Sequence, residues 1–231
     1  MGSIGSNLQE VKRRIAAACV GAGRDANTVT LLAVSKTFGA DVVREALAAG
    51  QQAFGENHVQ EALAKIEALA ALRAQIEWHL IGPLQSNKTR PVAEAFDWVH
   101  SVDRLKIAQR LAEQRPPHLP PLQLCLQVNV SGEASKSGVP PQELPALAQA
   151  VAALPAQRVR LRGLMSIPRA TDDAVAQRQP HRVLRELLLA LQAQGLALDT
   201  LSMGMSADLE AAVAEGSSLV RVGTAIFGSR S

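Results

Sequence analysis

Eight times along this chain, a short apolar run gives way to a helical pattern. The runs fall at residues 28–34, 53–54, 77–81, 98–102, 122–130, 160–165, 200–203 and 219–222. Leu31-Leu32-Ala33-Val34 shows their character, being apolar without the alternation of a half-exposed strand. Such a run fits a strand covered on both faces, as in a parallel sheet. Helical spacing follows over 40–49, where Val42, Val43, Ala46 and Leu47 share a face and Gly50 supplies the stop. The later helices are expected through about residue 72, then over 87–95, from an Asp103 cap to about 115, and over 141–154, 174–194 and 206–215. One more amphipathic stretch, 8–20, precedes the first strand and ends at Gly21 and Gly23.

Eight strand-then-helix units in 231 residues predict a single-domain (β/α)8 TIM barrel with an extra N-terminal helix, spanning 1–231. A doubly wound sheet is the alternative. The even spacing favours the barrel, as does the lack of a Gly-x-Gly-x-x-Gly after the first strand. Residues 115–121 form a proline-rich connector with α/β pattern on both sides, so no domain boundary falls there.

Composition narrows the functional classes. Hydrophobic residues make up 47% but aromatics only 3%, so the core is built from Ala, Leu and Val. A net charge of +3 comes from scattered arginines, without a basic run interleaved with aromatics, so a nucleic-acid partner is not expected. No stretch approaches the ~20 apolar residues of a membrane helix, and the polar start carries no secretory signal. Cys19 and Cys125 are isolated, with neither a disulfide framework nor metal-ligand spacing. These features predict a cytoplasmic protein, taken here as a monomer without a metal.

In a barrel, the segments after each strand converge on one face, where chemistry is placed. The first is Ser35-Lys36-Thr37. The chain holds only six lysines, and Lys36 alone terminates an apolar strand. Partial desolvation there would favour the neutral, nucleophilic amine, which forms Schiff bases with carbonyls; an ordinary solvated lysine is the plain alternative. After strands seven and eight come Ser206 and Arg221-Val222-Gly223-Thr224. Barrels often bind phosphate with these two loops, so backbone N–H groups at Gly223 and Thr224, with Ser206, form a candidate phosphate cradle. Ser206 could equally be a helix N-cap, and Gly223 a turn residue. A lysine on one side of the mouth and a phosphate cradle on the other suit pyridoxal 5'-phosphate, which carries an aldehyde and a phosphate.

Arg221 is expected to face the pyridine nitrogen, holding it unprotonated because a guanidinium only donates. The alternative is an arginine buried against a carboxylate. Asn57 either orients a ring oxygen or holds a turn. His79 is an acid or base by type, or a structural histidine bonded to backbone. Lys136 is either a second amine near the mouth or an exposed loop residue. The set contains no paired carboxylates, metal cluster or Ser-His-Asp constellation, so no catalytic residue is assigned.

A resemblance sharpens this reading. Ala-Val-Ser-Lys-Thr (33–37), Phe-Gly-Glu-Asn (54–57), Trp-His-Leu-Ile-Gly-Pro-Leu-Gln-Ser-Asn-Lys (78–88) and Gln-Val-Asn-Val (127–130) occur in order. So do Ala-Ser-Lys-Ser-Gly (134–138), Leu-Arg-Gly-Leu-Met (161–165), Leu-Ser-Met-Gly-Met-Ser (201–206) and Val-Arg-Val-Gly-Thr-Ala-Ile-Phe-Gly (220–228). With them the chain resembles the pyridoxal phosphate homeostasis protein family, whose fold is similar to the barrel of alanine racemase. The resemblance implies that Lys36 carries the cofactor as a Schiff base. It also implies phosphate contacts from Ser206, Gly223 and Thr224, with Arg221 near the ring nitrogen and Asn57 near the ring. It implies a role in vitamin B6 balance without established catalysis, and cofactor-dependent apoenzymes as recipients. Many members carry a second lysine two positions after the first; here that position is Phe38.

A pyridoxal-phosphate-dependent amino-acid racemase is the rival. Racemases of the alanine type use a tyrosine on the second face of Cα, and this chain has no tyrosine. His79 or Cys125 would have to replace it. The sequence also ends soon after strand eight, so the additional β domain of alanine racemase is not expected.

Overall fold

The computed structural model describes residues 2–133, 137–171 and 173–228. It opens with helix α1 (Ile4–Gly21), followed by β1 (Thr30–Val34), α2 (Ala40–Ala48), β2 (Ala53–Glu56), α3 (Val59–Ala68), β3 (Glu77–Leu80) and α4 (Thr89–Ala95). Next come β4 (Trp98–Val102), α5 (Leu105–Gln114), β5 (Leu122–Gln127), α6 (Leu144–Ala152), β6 (Val159–Met165) and α7 (Ala174–Ala193). The last elements are β7 (Thr200–Ser202), α8 (Leu209–Ala214), β8 (Leu219–Val222) and α9 (Thr224–Phe227).

All neighbouring strands pair in parallel and in sequence order, and β1 closes the sheet on β8. Leu32 lies beside Arg221 and Ala33 beside Val222 across that seam. Closure decides for the (β/α)8 barrel against the doubly wound sheet. The unbroken apolar run of β1 now has its cause. Leu32 and Val34 pack inside the barrel with Ala53, Ile81 and Leu219, while Leu31 and Ala33 face the helices. A second interior group joins Trp98, Cys125 and Met165.

The helix after β8 has four residues, too short to cover the seam. Helix α1 lies against α2, α8 and α9 and takes that place. Asn7 Nδ2 donates to the Ile226 carbonyl (2.8 Å), Arg14 pairs with Glu210 (2.8 Å), and Arg24 Nη1 donates to the Val213 carbonyl (2.8 Å). The extra helix therefore completes the outer layer.

Several expected boundaries move. Helix α1 starts at Ile4 because Ser3 caps it, its side chain accepting from the Ser6 N–H. Asp103 does not cap α5: Arg104 holds the cap position, and Asp103 pairs with Arg104 at 2.7 Å. Strand β5 ends at Gln127, and Val128 continues only as an isolated bridge to Val139.

Candidate functional site

The carboxyl ends of β1, β2, β7 and β8 surround a cavity of about 590 Å³. Lys36, Asn57, Ser206, Arg221, Gly223 and Thr224 all line it. Phe38, Ile167 and Met205 add apolar surface. The structure thus brings the six residues singled out in the sequence to one mouth.

Lys36 sits in the turn that follows β1 and is exposed at the cavity. The strand delivers its side chain to the rim of the cavity. The next residue, Thr37, has φ = 68°, and among the described residues it is the only non-glycine with positive φ. Its N–H donates to the Glu61 carboxylate. Directly beneath lies a buried charge cluster. Lys65 Nζ donates to Glu56 Oε1 (2.6 Å) and to the Ser35 carbonyl (2.8 Å), and the Ser35 hydroxyl donates to the same Glu56 oxygen (2.5 Å). Burial pushes the Glu56 carboxyl up, and the Lys65 ammonium pulls it back in part. This cluster ties the ends of β1 and β2 to α3. Sequence reasoning missed it, because Lys65 reads as an ordinary helical lysine and only the adjacency of Gly-Glu-Asn to the mouth hints at Glu56.

Arg221 points into the barrel and is 4% exposed. Its Nη1 donates to the Ser202 carbonyl (2.6 Å) and hydroxyl (2.8 Å), and Nη2 to the Ser166 carbonyl (2.8 Å). Among the described residues no carboxylate pairs with it, which rules against an arginine buried on a carboxylate. Burial lowers its pKa to about 10, with Asp208 opposing at longer range. Among the described residues, Nη1 makes two of these bonds and Nη2 one.

Asn57 Oδ1 is buried and has no partner among the described residues. The backbone behind it is tightly held: a Cβ at Gly82 would lie 2.0 Å from the Asn57 carbonyl oxygen, so only glycine fits there. Gly223 occupies the N-cap position of α9, and Thr224 begins that helix. Ser206 does not start a helix as expected. It lies in the turn before α8, whose cap position belongs to Asp208. Asp208 is otherwise engaged: its carboxylate accepts from the Met205 N–H (2.7 Å) and bonds His181 Nε2 (2.9 Å). Gly204 permits this turn with φ = 95°, and a Cβ there would lie 2.5 Å from that of Ala212.

His79 and Cys125 do not line this cavity. His79 is buried inside the barrel and bonds side chains rather than backbone: Nδ1 to His100 Nε2 (2.9 Å) and Nε2 to Glu77 (2.7 Å). Cys125 is buried beside Trp98 and Met165, and desolvation pushes its thiol up to about 12, which leaves it protonated. Neither replaces a tyrosine at the mouth. Lys136 lies outside the described residues. Among the described residues no group of His, Cys, Asp or Glu could hold a metal ion, and no helix is long and apolar enough to cross a membrane.

The polar groups at the mouth fit pyridoxal phosphate on structural grounds: an exposed lysine amine, a guanidinium, an amide oxygen that has no partner among the described residues, and glycine-bearing loops across the mouth. Fold and site together define a barrel of the alanine racemase N-terminal domain class, and the family model for that domain matches residues 4–231. The pyridoxal phosphate homeostasis protein of Pseudomonas aeruginosa is 63% identical over 230 residues, covering 100% of this chain and 97% of the relative. Its Escherichia coli counterpart is 52% identical over 231 residues, covering 100% and 98%. The chain belongs to the pyridoxal phosphate homeostasis protein family. Among solved structures, PipY of Synechococcus elongatus with PLP bound superposes with a TM-score of 0.85 at 39% identity, covering 98% of this chain and all of that one. Alanine racemase of Corynebacterium glutamicum (TM-score 0.69, 18% identity, 96% of this chain and 62% of that one) shares the fold.

Proposed function

We propose that this protein binds pyridoxal 5'-phosphate at the barrel mouth and serves to hold and release it within the cell's vitamin B6 balance, without turning over an amino acid. The observation that carries the reading is the convergence of Lys36, Asn57, Ser206, Arg221, Gly223 and Thr224 on one cavity. The names of the relatives and the PLP-bound PipY structure support it.

When bound, the cofactor supplies an electrophilic carbonyl carbon and a ring able to delocalise negative charge. Lys36, the one lysine among the residues lining the cavity, would hold the group through its amine. Its exposure suits a bond that must form and open in contact with water. Arg221, which only donates hydrogen bonds, holds the ring nitrogen unprotonated and so weakens the ring as an electron sink. Asn57 orients the ring through its Oδ1. The loops at Ser206 and at Gly223 and Thr224 hold the phosphate with N–H and hydroxyl groups. Apoenzymes needing the cofactor are the recipients in this reading, and the protein acts as a cytoplasmic monomer.

The racemase reading requires a second base opposite Lys36. The chain has no tyrosine, and His79 and Cys125 lie away from the cavity. The test is an absorption spectrum after incubation with pyridoxal phosphate, borohydride fixation and peptide mapping. A band near ~420 nm that maps to Lys36 is expected, and it should vanish in Lys36→Ala. Retention of the fixed label in that variant would overturn the assignment. Chiral analysis of added L-alanine should show no inversion; turnover of even ~1 s⁻¹ would make the protein an enzyme.

A further inference from the structure

Inside the barrel, beneath the mouth, runs a file of polar side chains that cofactor binding at the rim does not by itself require. Arg221 Nη1 donates to the Ser202 hydroxyl (2.8 Å), which bonds His100 Nδ1 (2.8 Å). His100 Nε2 bonds His79 Nδ1 (2.9 Å), and His79 Nε2 bonds Glu77 (2.7 Å). Glu77 begins β3 at the opposite end of the barrel, and its side chain is half exposed. Ser202 and His100 are wholly buried. Five residues on four strands thus connect the site to water on the far face.

The donors in such a file can point only one way at a time. With Glu77 ionised and both imidazoles neutral, His79 Nε2–H faces Glu77 and leaves Nδ1 to accept. His100 then donates from Nε2 and accepts at Nδ1 from the Ser202 hydroxyl. If His79 takes up a proton, both its nitrogens donate. His100 must then accept at Nε2 and donate from Nδ1, and Ser202 Oγ accepts from His100 and Arg221 together. One proton at His79 therefore reverses the His79–His100 and His100–Ser202 bonds, and the Ser202 hydroxyl changes from donating to His100 to being shared as acceptor between His100 and Arg221.

We propose that Glu77, His79, His100 and Ser202 form a proton-responsive relay that positions Arg221 and sets how strongly it holds the cofactor's ring nitrogen. This rests on the cofactor reading above. The charged and titratable surroundings are consistent with it. Arg162 lies near Glu77, stacks over Trp98 (4.9 Å) and pairs with Asp199 (2.7 Å); Asp208 and Cys125 lie near Arg221. Trp98 stacks on His79 with ring planes 9° apart, so the imidazole cannot swing out of line.

The test compares the Kd for pyridoxal phosphate of wild type, Glu77→Gln and Ser202→Ala across roughly pH 5.5–8.5, the range in which histidine titrates. The ligand's own titration is common to all three proteins and cancels in the ratios. Wild type should show a one-proton step of roughly three- to tenfold, the size of one hydrogen bond's differential contribution. Glu77→Gln removes the charged end of the file, so its profile should no longer run parallel to that of wild type. Ser202→Ala breaks the file, so that step should appear in the ratio of its Kd to the wild-type Kd. A structural role alone changes Kd by the same factor at every pH. Parallel profiles for all three proteins would overturn the relay while leaving the binding site standing. No binding by wild type would overturn both. Glu77→Gln, far from the mouth, keeps the comparison decisive if Ser202→Ala folds poorly.

Discussion

Lys36 is followed by a residue in an unusual backbone conformation. Thr37 adopts left-handed backbone, which costs a β-branched residue on the order of 1–2 kcal/mol. The Glu61 carboxylate holds it there by accepting its N–H. Strain of this kind persists where the surroundings over-determine it, and here it sits beside the lysine that lines the cavity. Glycine carries no such penalty. Thr37→Gly should therefore stabilise the apoprotein by about 1 kcal/mol, raising the thermal midpoint by ~2–4 °C. A thermal melt of the apoprotein checks this; a lowered midpoint would mean that the Thr37 side chain contributes more than its backbone costs.

Among the elements, α3 does more than cover the sheet. Its Lys65 reaches a carboxylate on β2 and a carbonyl at the end of β1, and both ionic partners are almost fully shielded, at 3% and 0% side-chain exposure. A buried pair adds little over a well-packed apolar pair, but removing one partner strands the other. Lys65→Met should cost ~3–5 kcal/mol, read by urea denaturation. Adding Glu56→Gln should recover part of that loss, because the stranded charge is gone. If the double variant is less stable than Lys65→Met, the two residues do not act as a pair. Nothing in the sequence announces this contact, since the pairing depends on how α3 lies over β2. The helices and strands themselves were legible, because strands covered on both faces read as continuous apolar runs. The element ends were less so. Ser206 looks like a helix cap, yet Asp208 holds that position, its carboxylate drawn to His181 and the Met205 N–H.

At the scale of the whole molecule, the barrel has two cores with different contents. The layer between strands and helices is apolar apart from the Lys65–Glu56 cluster, with Phe54, Trp78 and Phe96 among its largest members. The interior is apolar around Leu32, Val34, Ala53, Ile81 and Leu219 and polar along the file from Glu77 to Arg221. The mouth could be read from the sequence because its residues cluster just after strand ends. The file could not, because which inward residues meet across the barrel depends on closure and stagger. Its stability signature follows from linkage. Burial, then the charges of His79 and Arg221, hold the His100 pKa well below its ordinary value of 6.5. In the unfolded chain His100 takes up a proton as pH falls through about 6.5, while in the folded barrel it stays neutral. The unfolded state then binds more protons, so stability is lost as pH falls, by about 1.4 kcal/mol per pH unit for one such group. Glu77, held low chiefly by its bond from His79, adds its own loss only below about pH 4. Urea denaturation of the apoprotein at several values between pH 7 and pH 5 should therefore show a falling stability even before carboxylates titrate. His100→Gln keeps an amide donor and acceptor at the same place but cannot ionise, so its profile should be flatter over that range. Equal slopes for the two proteins would mean that His100 accepts its proton inside the barrel, and the neutral state on which the direction of the file depends would be lost.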